Sequence, residues 1–367
     1  MSSEKISAFR AKKNCLLVFR NKKINIFDGA EGVISAFSGI GYYFDKIAYV
    51  AFDRAEEIVS ALKDGRLNYE NLYIYCPFSM DNTLKAFLTA LYLSEFNEKG
   101  ILNSGTDNVF ILYSDKANDL NFSDIKEILD TKYGEKYEKS YVKVFGVSAS
   151  QLNSVIYHAK LKCPEIDFAI SEKFGDFRVE ITYPSSISKV IFDEVMRTIV
   201  TGLNDNIYAM DDISLAERLF QLLKLRRAKI SVAESFTGGG IAKKLVEIPG
   251  ISEVYLEGLN TYSNESKILR LGVKEFTLDR FGAVSEQTAC EMVEGLKKAS
   301  GCDVCISTTG IAGPSSDGTS KPVGLIYIAV LVGDNCSVFE YNLKGNRENI
   351  TNTAINLALF HTYKLLK

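Results

Sequence analysis

Residues 227–248 read RAKISVAESFTGGGIAKKLVEI, and this stretch decides the fold class. Ala228, Ile230 and Val232 alternate on one face, as the inward residues of a strand do. The run Gly238–Gly240 breaks that alternation, and GGIAKKLVEI then reads as a helix. A strand that turns through glycines into a helix is the building unit of an α/β sheet. Ser235 falls at the C-terminal end of the strand, the edge where ligands of open α/β sheets collect. Gly238, Gly239 and Gly240 let backbone approach a ligand closely. The helix start offers unpaired N–H groups suited to an oxyanion or phosphate. Serine and threonine are also common helix caps, so this stretch alone fits a nucleophile or a quiet turn.

Downstream, GLNTYS reads as a strand and NESKILRLG as a short helix ending at Gly272. Asn264 is the expected N-cap, which places Lys267 in the first helical turn. A cation is unfavourable there beside the positive pole of the helix dipole. Partly buried, such a lysine deprotonates more easily and can act as a general base for a serine. Tyr262 could relay or hold a proton. The alternatives are a solvated lysine and a packing tyrosine. STTGIAGP (307–314) runs from a strand into a loop with Gly310 and Gly313, followed by SSDGTS and KPVG. The segment PVGLIYIAVLVGDNCSVFEYNL predicts a hairpin turning at Gly333–Asp334. Arg347 opens the C-terminal helix and could bind a phosphate or simply start a surface helix.

Upstream, residues 1–140 alternate strands (CLLVF, KIAYVAF, NLYIYCP, NVFILYS) with helices (AEEIVSALKDG, NTLKAFLTALYLSEF). That alternation predicts a mostly parallel sheet with helices on both faces. KYGEKYEKSYVK is charged and aperiodic and reads as a linker. Residues 141–225 predict a small α+β module. In it the helix ASQLNSVIYHAKL leads to a hairpin with its turn near Gly175, then to ISKVIFDEVMRTIVTGL and DDISLAERLFQLLKLRR. A KH-type RNA binder carries a basic G-x-x-G loop between its helices, and none occurs here, so packing or dimerisation is expected instead. Residues 226–367 form the third domain.

Composition narrows the function. The 367 residues carry a net charge of −3, with 46% hydrophobic and 24% charged residues. That balance argues against general nucleic-acid or membrane-surface binding. No apolar run approaches the roughly 20 residues of a membrane span. The start, MSSEKISAFRAKKN, shows no signal core, so a cytoplasmic location is expected. Seven scattered cysteines fit reduced thiols. Cys302 and Cys305 form a lone C-x-x-C without the second ligand pair of a zinc site. There are only two histidines. His361 shares a stripe with Ile350, Ala354, Leu357 and Leu365 and reads as a core residue. A Ser-His-Asp triad for Ser235 is therefore not expected.

AESFTGG, TYSNESK, GAVS, GIAGP and KPVG, in this order, resemble the CinA family across the third domain. The middle segment from FGVSASQL onward is similar to that family's central domain. The resemblance implies a three-domain chain: an α/β molybdopterin-binding-like domain (1–140), a small α+β KH-type module (141–225) and an α/β amidohydrolase domain (226–367). It implies hydrolysis of the carboxamide of nicotinamide mononucleotide to nicotinate mononucleotide and ammonia, without metal or cofactor, in pyridine nucleotide salvage. The family's catalytic serine, tyrosine and lysine fall on Ser235, Tyr262 and Lys267. Backbone N–H groups near Thr237 and Gly238 would hold the oxyanion. Gly239, Ser263, Asn264, Ser285, Gly310, Gly313 and Arg347 are the further candidates for holding substrate. A homodimer is the family expectation.

Two departures stand out. Phe236 replaces the family's usual small cysteine, which would alter the pocket wall. In the first domain the family's glycine-rich loop is replaced by YCPFSMDNTLKAF, where Asp81 is followed by Asn82 instead of a second acid. The pyrophosphatase chemistry associated with that domain is expected to be lost. The competing reading is a non-catalytic nucleotide-binding scaffold or sensor linked to competence or DNA damage.

Overall fold

The computed structural model describes residues 13–20, 30–51, 53–116, 120–134, 137–315, 318 and 320–367. The chain's first residues and part of the SSDGTS loop lie outside this set. Two compact units result: Met1–Lys139 with Thr182–Ile187, and Ser140–Ile181 with Ser188–Lys367.

The first unit holds a five-stranded sheet in the order β2-β1-β3-β5-β4. Its strands are β1 (Asn14–Arg20), β2 (Lys46–Ala51), β3 (Asn71–Cys76), β4 (Ile101–Ser104) and β5 (Asp107–Tyr113). All pairs are parallel except β4 with β5, which closes one edge antiparallel. Alternate residues serve two cores, because a strand's side chains alternate between faces. Leu17, Ile74 and Ile111 pack with Leu62 of α2 (Ala55–Asn68) and Leu84 of α3 (Asp81–Tyr92). Leu16, Tyr73 and Phe110 pack with Phe37 of α1 (Ala30–Gly39) and Leu129 of α4 (Phe122–Tyr133). Asn14, Asn71 and Asn108 stand opposite one another on β1, β3 and β5. Asn108 Nδ2 donates to Asn71 Oδ1 (2.8 Å), and Asn71 Nδ2 donates to Asn14 Oδ1 (3.0 Å). A one-residue slip would leave these buried amides unpaired, so the ladder favours this register.

The expected linker KYGEKYEKSYVK contains a strand instead, β6 (Tyr137–Phe145). Its charges are met by sheet partners, as when Lys143 pairs with Asp176 at 3.8 Å. Local sequence cannot show such pairing. β6 joins β7 (Asp167–Lys173), β8 (Asp176–Pro184) and β9 (Ile207–Ala209) in the order β7-β8-β6-β9. The helices α5 (Ala149–Lys162) and α6 (Lys189–Leu203) accompany this sheet.

The sequence boundary at residue 225 does not match the packing. The helix α7 (Leu215–Arg226) places Leu215, Leu219 and Leu223 in one core with Ile230, Val232, Ile306 and Ile328. Phe145 and Tyr208 of the small module enter the same core. The segment cannot bury its apolar stripe alone and takes it to the largest nearby apolar surface.

The third sheet runs β11-β10-β12-β13-β14. β10 (Ile230–Glu234) is parallel to β11 (Tyr255–Asn260) and to β12 (Val304–Gly310). β13 (Leu325–Val332) and β14 (Asn335–Asn342) form the expected hairpin. The helices α8 (Gly240–Val246) and α12 (Arg347–Leu366) cover one face. The opposite face is covered by α9 (Asn264–Leu271), α10 (Glu275–Phe281) and α11 (Glu286–Ser300). Among the described residues no helix is long and apolar enough to cross a membrane.

Candidate active site

The chain leaves β10 for β11 on one side and later returns to β12 on the other. The C-terminal ends of these three parallel strands therefore flank a topological switch point. Ser235 sits there, locked between both neighbours. Its N–H donates to the Thr308 carbonyl (3.1 Å), and Thr261 N–H donates to the Glu234 carbonyl (2.8 Å). The Ser235 residue is only 7% exposed.

Lys267 comes to it from α9. Ser263, not Asn264, caps that helix, accepting from Ser266 N–H at 3.1 Å. Helical side chains lean towards the N-terminus, so a lysine in the first turn folds back over the residues that precede the helix. Its Nζ donates to Ser235 Oγ (3.0 Å), Thr261 O (2.8 Å) and Tyr262 O (2.9 Å). Lys267 is 1% exposed. Burial lowers its pKa from the ordinary 10.5 to about 8. Desolvation is the cause, the burial that the sequence reading had paired with the helix dipole. A charged amine donates to all three acceptors; a neutral one has two N–H bonds and a lone pair. The two carbonyls can only accept, so they hold both N–H bonds, and the lone pair faces the Ser235 hydroxyl. That arrangement suits a base for the serine.

Tyr262 enters this arrangement through its carbonyl. Its side chain is 65% exposed, and among the described residues its hydroxyl has no hydrogen-bond partner. The structure therefore brings Ser235 and Lys267 together and leaves the Tyr262 ring at the surface.

The anion site expected at the start of α8 is filled from within. Glu234, 1% exposed, accepts from Ile241 N–H (3.0 Å) and Ala242 N–H (2.9 Å). The sequence places Glu234 on the core-facing alternation of Ile230 and Val232, but it does not show that its carboxylate meets the start of α8. Gly238 N–H donates to the Ser235 carbonyl (3.1 Å) and is not free for an oxyanion. The N–H groups of Phe236, Thr237 and Gly239 have no partner among the described residues. The Thr237 hydroxyl bonds Thr308 Oγ1 at 2.7 Å.

Ser285 is the cap of α11; its Oγ accepts from Thr288 N–H and donates to the Gly282 carbonyl. Arg347 Nη1 donates to the Gly313 carbonyl at 2.7 Å. Phe236 is a core residue, and a Cβ on Gly310 would meet its ring at 3.0 Å. Its ring thus packs inward, and Gly310 is the residue that makes room for it. The motifs GAVS, TTG and KPVG meet in one clasp: Lys321 Nζ donates to Phe281 O (2.6 Å) and Val284 O (2.5 Å), and Thr309 Oγ1 donates to Ala283 O (2.6 Å). His361 stacks on Phe339, bonds Tyr341 through Nε2, and is pushed down to about 4 by burial. It is a packed residue, as its stripe suggested, although Leu365 of that stripe is exposed. Cys302 and Cys305 are buried free thiols.

A family model described as the CinA C-terminal domain matches residues 212–366. The competence/damage inducible protein CihA from Agrobacterium tumefaciens is 37% identical, over 42% of this chain and 94% of that one, with a TM-score of 0.41. The chain belongs to the CinA family. A putative competence-damage inducible protein from Clostridium botulinum (strain Kyoto / Type A2) is 47% identical over 243 residues, 64% of this chain and 59% of that protein. One from Acetivibrio thermocellus is 36% identical over 230 residues, 62% of this chain and 56% of the relative. The matched stretch covers only 40% of another Clostridium botulinum relative, so this CinA-family chain spans between four- and six-tenths of these curated proteins. The family model begins just before α7, on the side of the boundary that the packing favours.

Proposed function

We propose that this chain is a nicotinamide-mononucleotide amidohydrolase, releasing ammonia and nicotinate mononucleotide. The observation that carries the reaction type is the buried Lys267 amine 3.0 Å from the Ser235 hydroxyl, with two carbonyls turning its lone pair onto that hydroxyl. The substrate rests on membership of the CinA family.

Ser235 Oγ attacks the carboxamide carbon as its proton passes to Lys267. The N–H groups of Phe236 and Thr237 are the free donors beside the nucleophile and stabilise the oxyanion. The C–N bond breaks as Lys267 protonates the departing nitrogen, which leaves as ammonia and returns the lysine to its neutral form. Water then attacks the Ser235 ester, and the acid leaves with Ser235 restored.

In the first unit, Asp81 accepts from Tyr113 Oη (2.6 Å) and pairs with Lys85 (2.9 Å). Both carboxylate oxygens are thus engaged within the fold, which supports the loss of any diphosphate chemistry at that position. The test is ammonia release from nicotinamide mononucleotide by wild type, Ser235→Ala and Lys267→Ala. Turnover by wild type alone, with all three folded, is expected. A folded but inactive wild type would overturn the reading and favour a nucleotide sensor.

A further inference from the structure

We propose that Cys290 and Cys336 are a thiol pair that a low-molecular-weight disulfide oxidises to an intramolecular disulfide, tying α11 to the edge strand β14. Cys290 lies in the second turn of α11 and Cys336 near the start of β14. Their Sγ atoms are 3.6 Å apart, although 46 positions separate them in sequence. All seven cysteines are free thiols, and only these two are partly exposed; the other five are buried. A reagent in solution therefore meets this pair first. The elements that carry it are fixed. Ala289 and Val293 of α11 pack against Ala329 and Leu331 of β13, and Cys336 packs on the same core. β14 is paired with β13 along its whole length.

A disulfide bond is about 2.05 Å long, so the sulfurs must close by roughly 1.5 Å. Side-chain rotation at two partly exposed positions supplies that movement. The thiolate is the attacking form. Burial pushes both thiols up, Cys290 to about 12, where Cys336 and Glu294 add to the rise. At Cys336 the Cys290 S–H opposes the rise, so Cys336 attacks first. Its thiolate bonds to one sulfur of the external disulfide, and a small thiolate leaves. The Cys290 thiolate then bonds to Cys336 Sγ, and the second small thiolate leaves. Two protein thiols are oxidised, one external disulfide is reduced, and the two protein protons end on the two small thiols. Closing the long loop between the cysteines restricts the unfolded chain, which favours the folded one. The tie forms clear of the Ser235–Lys267 pair. Cys336 stands opposite Leu331, Leu331 opposite Cys305, and Cys305 opposite Ser231. Ser231 lies near the start of β10, the end away from Ser235.

The experiment incubates wild type, Cys290→Ser and Cys336→Ser with excess oxidised glutathione in mildly alkaline solution. Non-reducing peptide mapping of wild type should find the Cys290 peptide joined to the Cys336 peptide, with the other five thiols free. Cys290→Ser should stop at a glutathione adduct on Cys336. Cys336→Ser should react more slowly, at Cys290 alone. The linked wild type should melt a few degrees above the reduced protein, and dithiothreitol should return the midpoint. Wild type whose two thiols stay free would overturn the proposal, as would wild type that accumulates the adduct of Cys290→Ser without closing. A link through any other pair would overturn it too. A linked protein that melts at the reduced midpoint would overturn the tie. None of these outcomes depends on ammonia release, so the amidohydrolase reading stands or falls separately.

Discussion

Three acceptors surround the Lys267 amine, and only one of them is a hydroxyl. The acylation rate should therefore rise with pH through an apparent pKa near 8, as the amine loses its proton. A pH profile of the ammonia burst measures this. Replacing Lys267 by Met should abolish turnover yet stabilise the fold at neutral pH, because a buried cation is removed. The amine binds its proton more weakly when folded than when unfolded. Between about 8 and its ordinary 10.5 the unfolded chain holds more protons, so wild-type stability rises with pH. The advantage of Lys267→Met should shrink over that window by at most about 1.4 kcal/mol per pH unit, as followed by urea midpoints. Tyr262→Phe should leave the apparent pKa in place, since the carbonyl and not the ring holds the lysine. A shifted profile in that variant would restore the ring to the base. Ser235 and Lys267 were legible because five motifs in one order are specific together, although neither residue's own motif is specific alone. The role of Tyr262 was not, because a motif names a residue without saying which of its atoms is used.

At the scale of elements, the turn from β10 into α8 depends on Glu234. Its carboxylate takes two N–H groups that a short helix otherwise leaves unpaired. Glu234→Ala should cost about 2–3 kcal/mol, visible as a lower denaturation midpoint. Its activity should fall as well, because the Ser235 turn is anchored by the same residue. Loss of stability with unchanged kcat would separate the cap from the nucleophile. Gly310→Ala should be destabilising too: its Cβ would lie 2.6 Å from Ile326 Cγ2 and 3.0 Å from the Phe236 ring. Most elements of the third domain were readable from alternation and glycine punctuation, including the helix ending at Gly272 and the hairpin turn at Gly333. β6 was not readable. A strand whose charges are matched across a sheet looks like a linker until its partners are known.

For the molecule as a whole, the decisive fact is which surfaces share a core. A fragment beginning at residue 226 lacks Leu215, Ala216, Leu219 and Leu223, all buried against the third sheet. It should fail to unfold cooperatively, whereas a fragment beginning at residue 211 should melt as a folded domain and retain deamidation. Equal melting of both fragments, measured by circular dichroism, would show that α7 is dispensable.

The α/β class and the edge of the sheet where chemistry collects were determined by the sequence itself. They follow from periodicity and glycine placement, which are local, whereas Ser235 and Lys267 were named together only through a motif set that resembles a family. Three matters were decided only by tertiary structure. Glu234 fills the helix start that had read as an anion site. Thr261 is left with a buried hydroxyl that has no hydrogen-bond partner among the described residues. α7 joins the core of the third sheet. Each depends on which distant groups become neighbours and how far water is excluded from them, and neither quantity is written in any single stretch of chain.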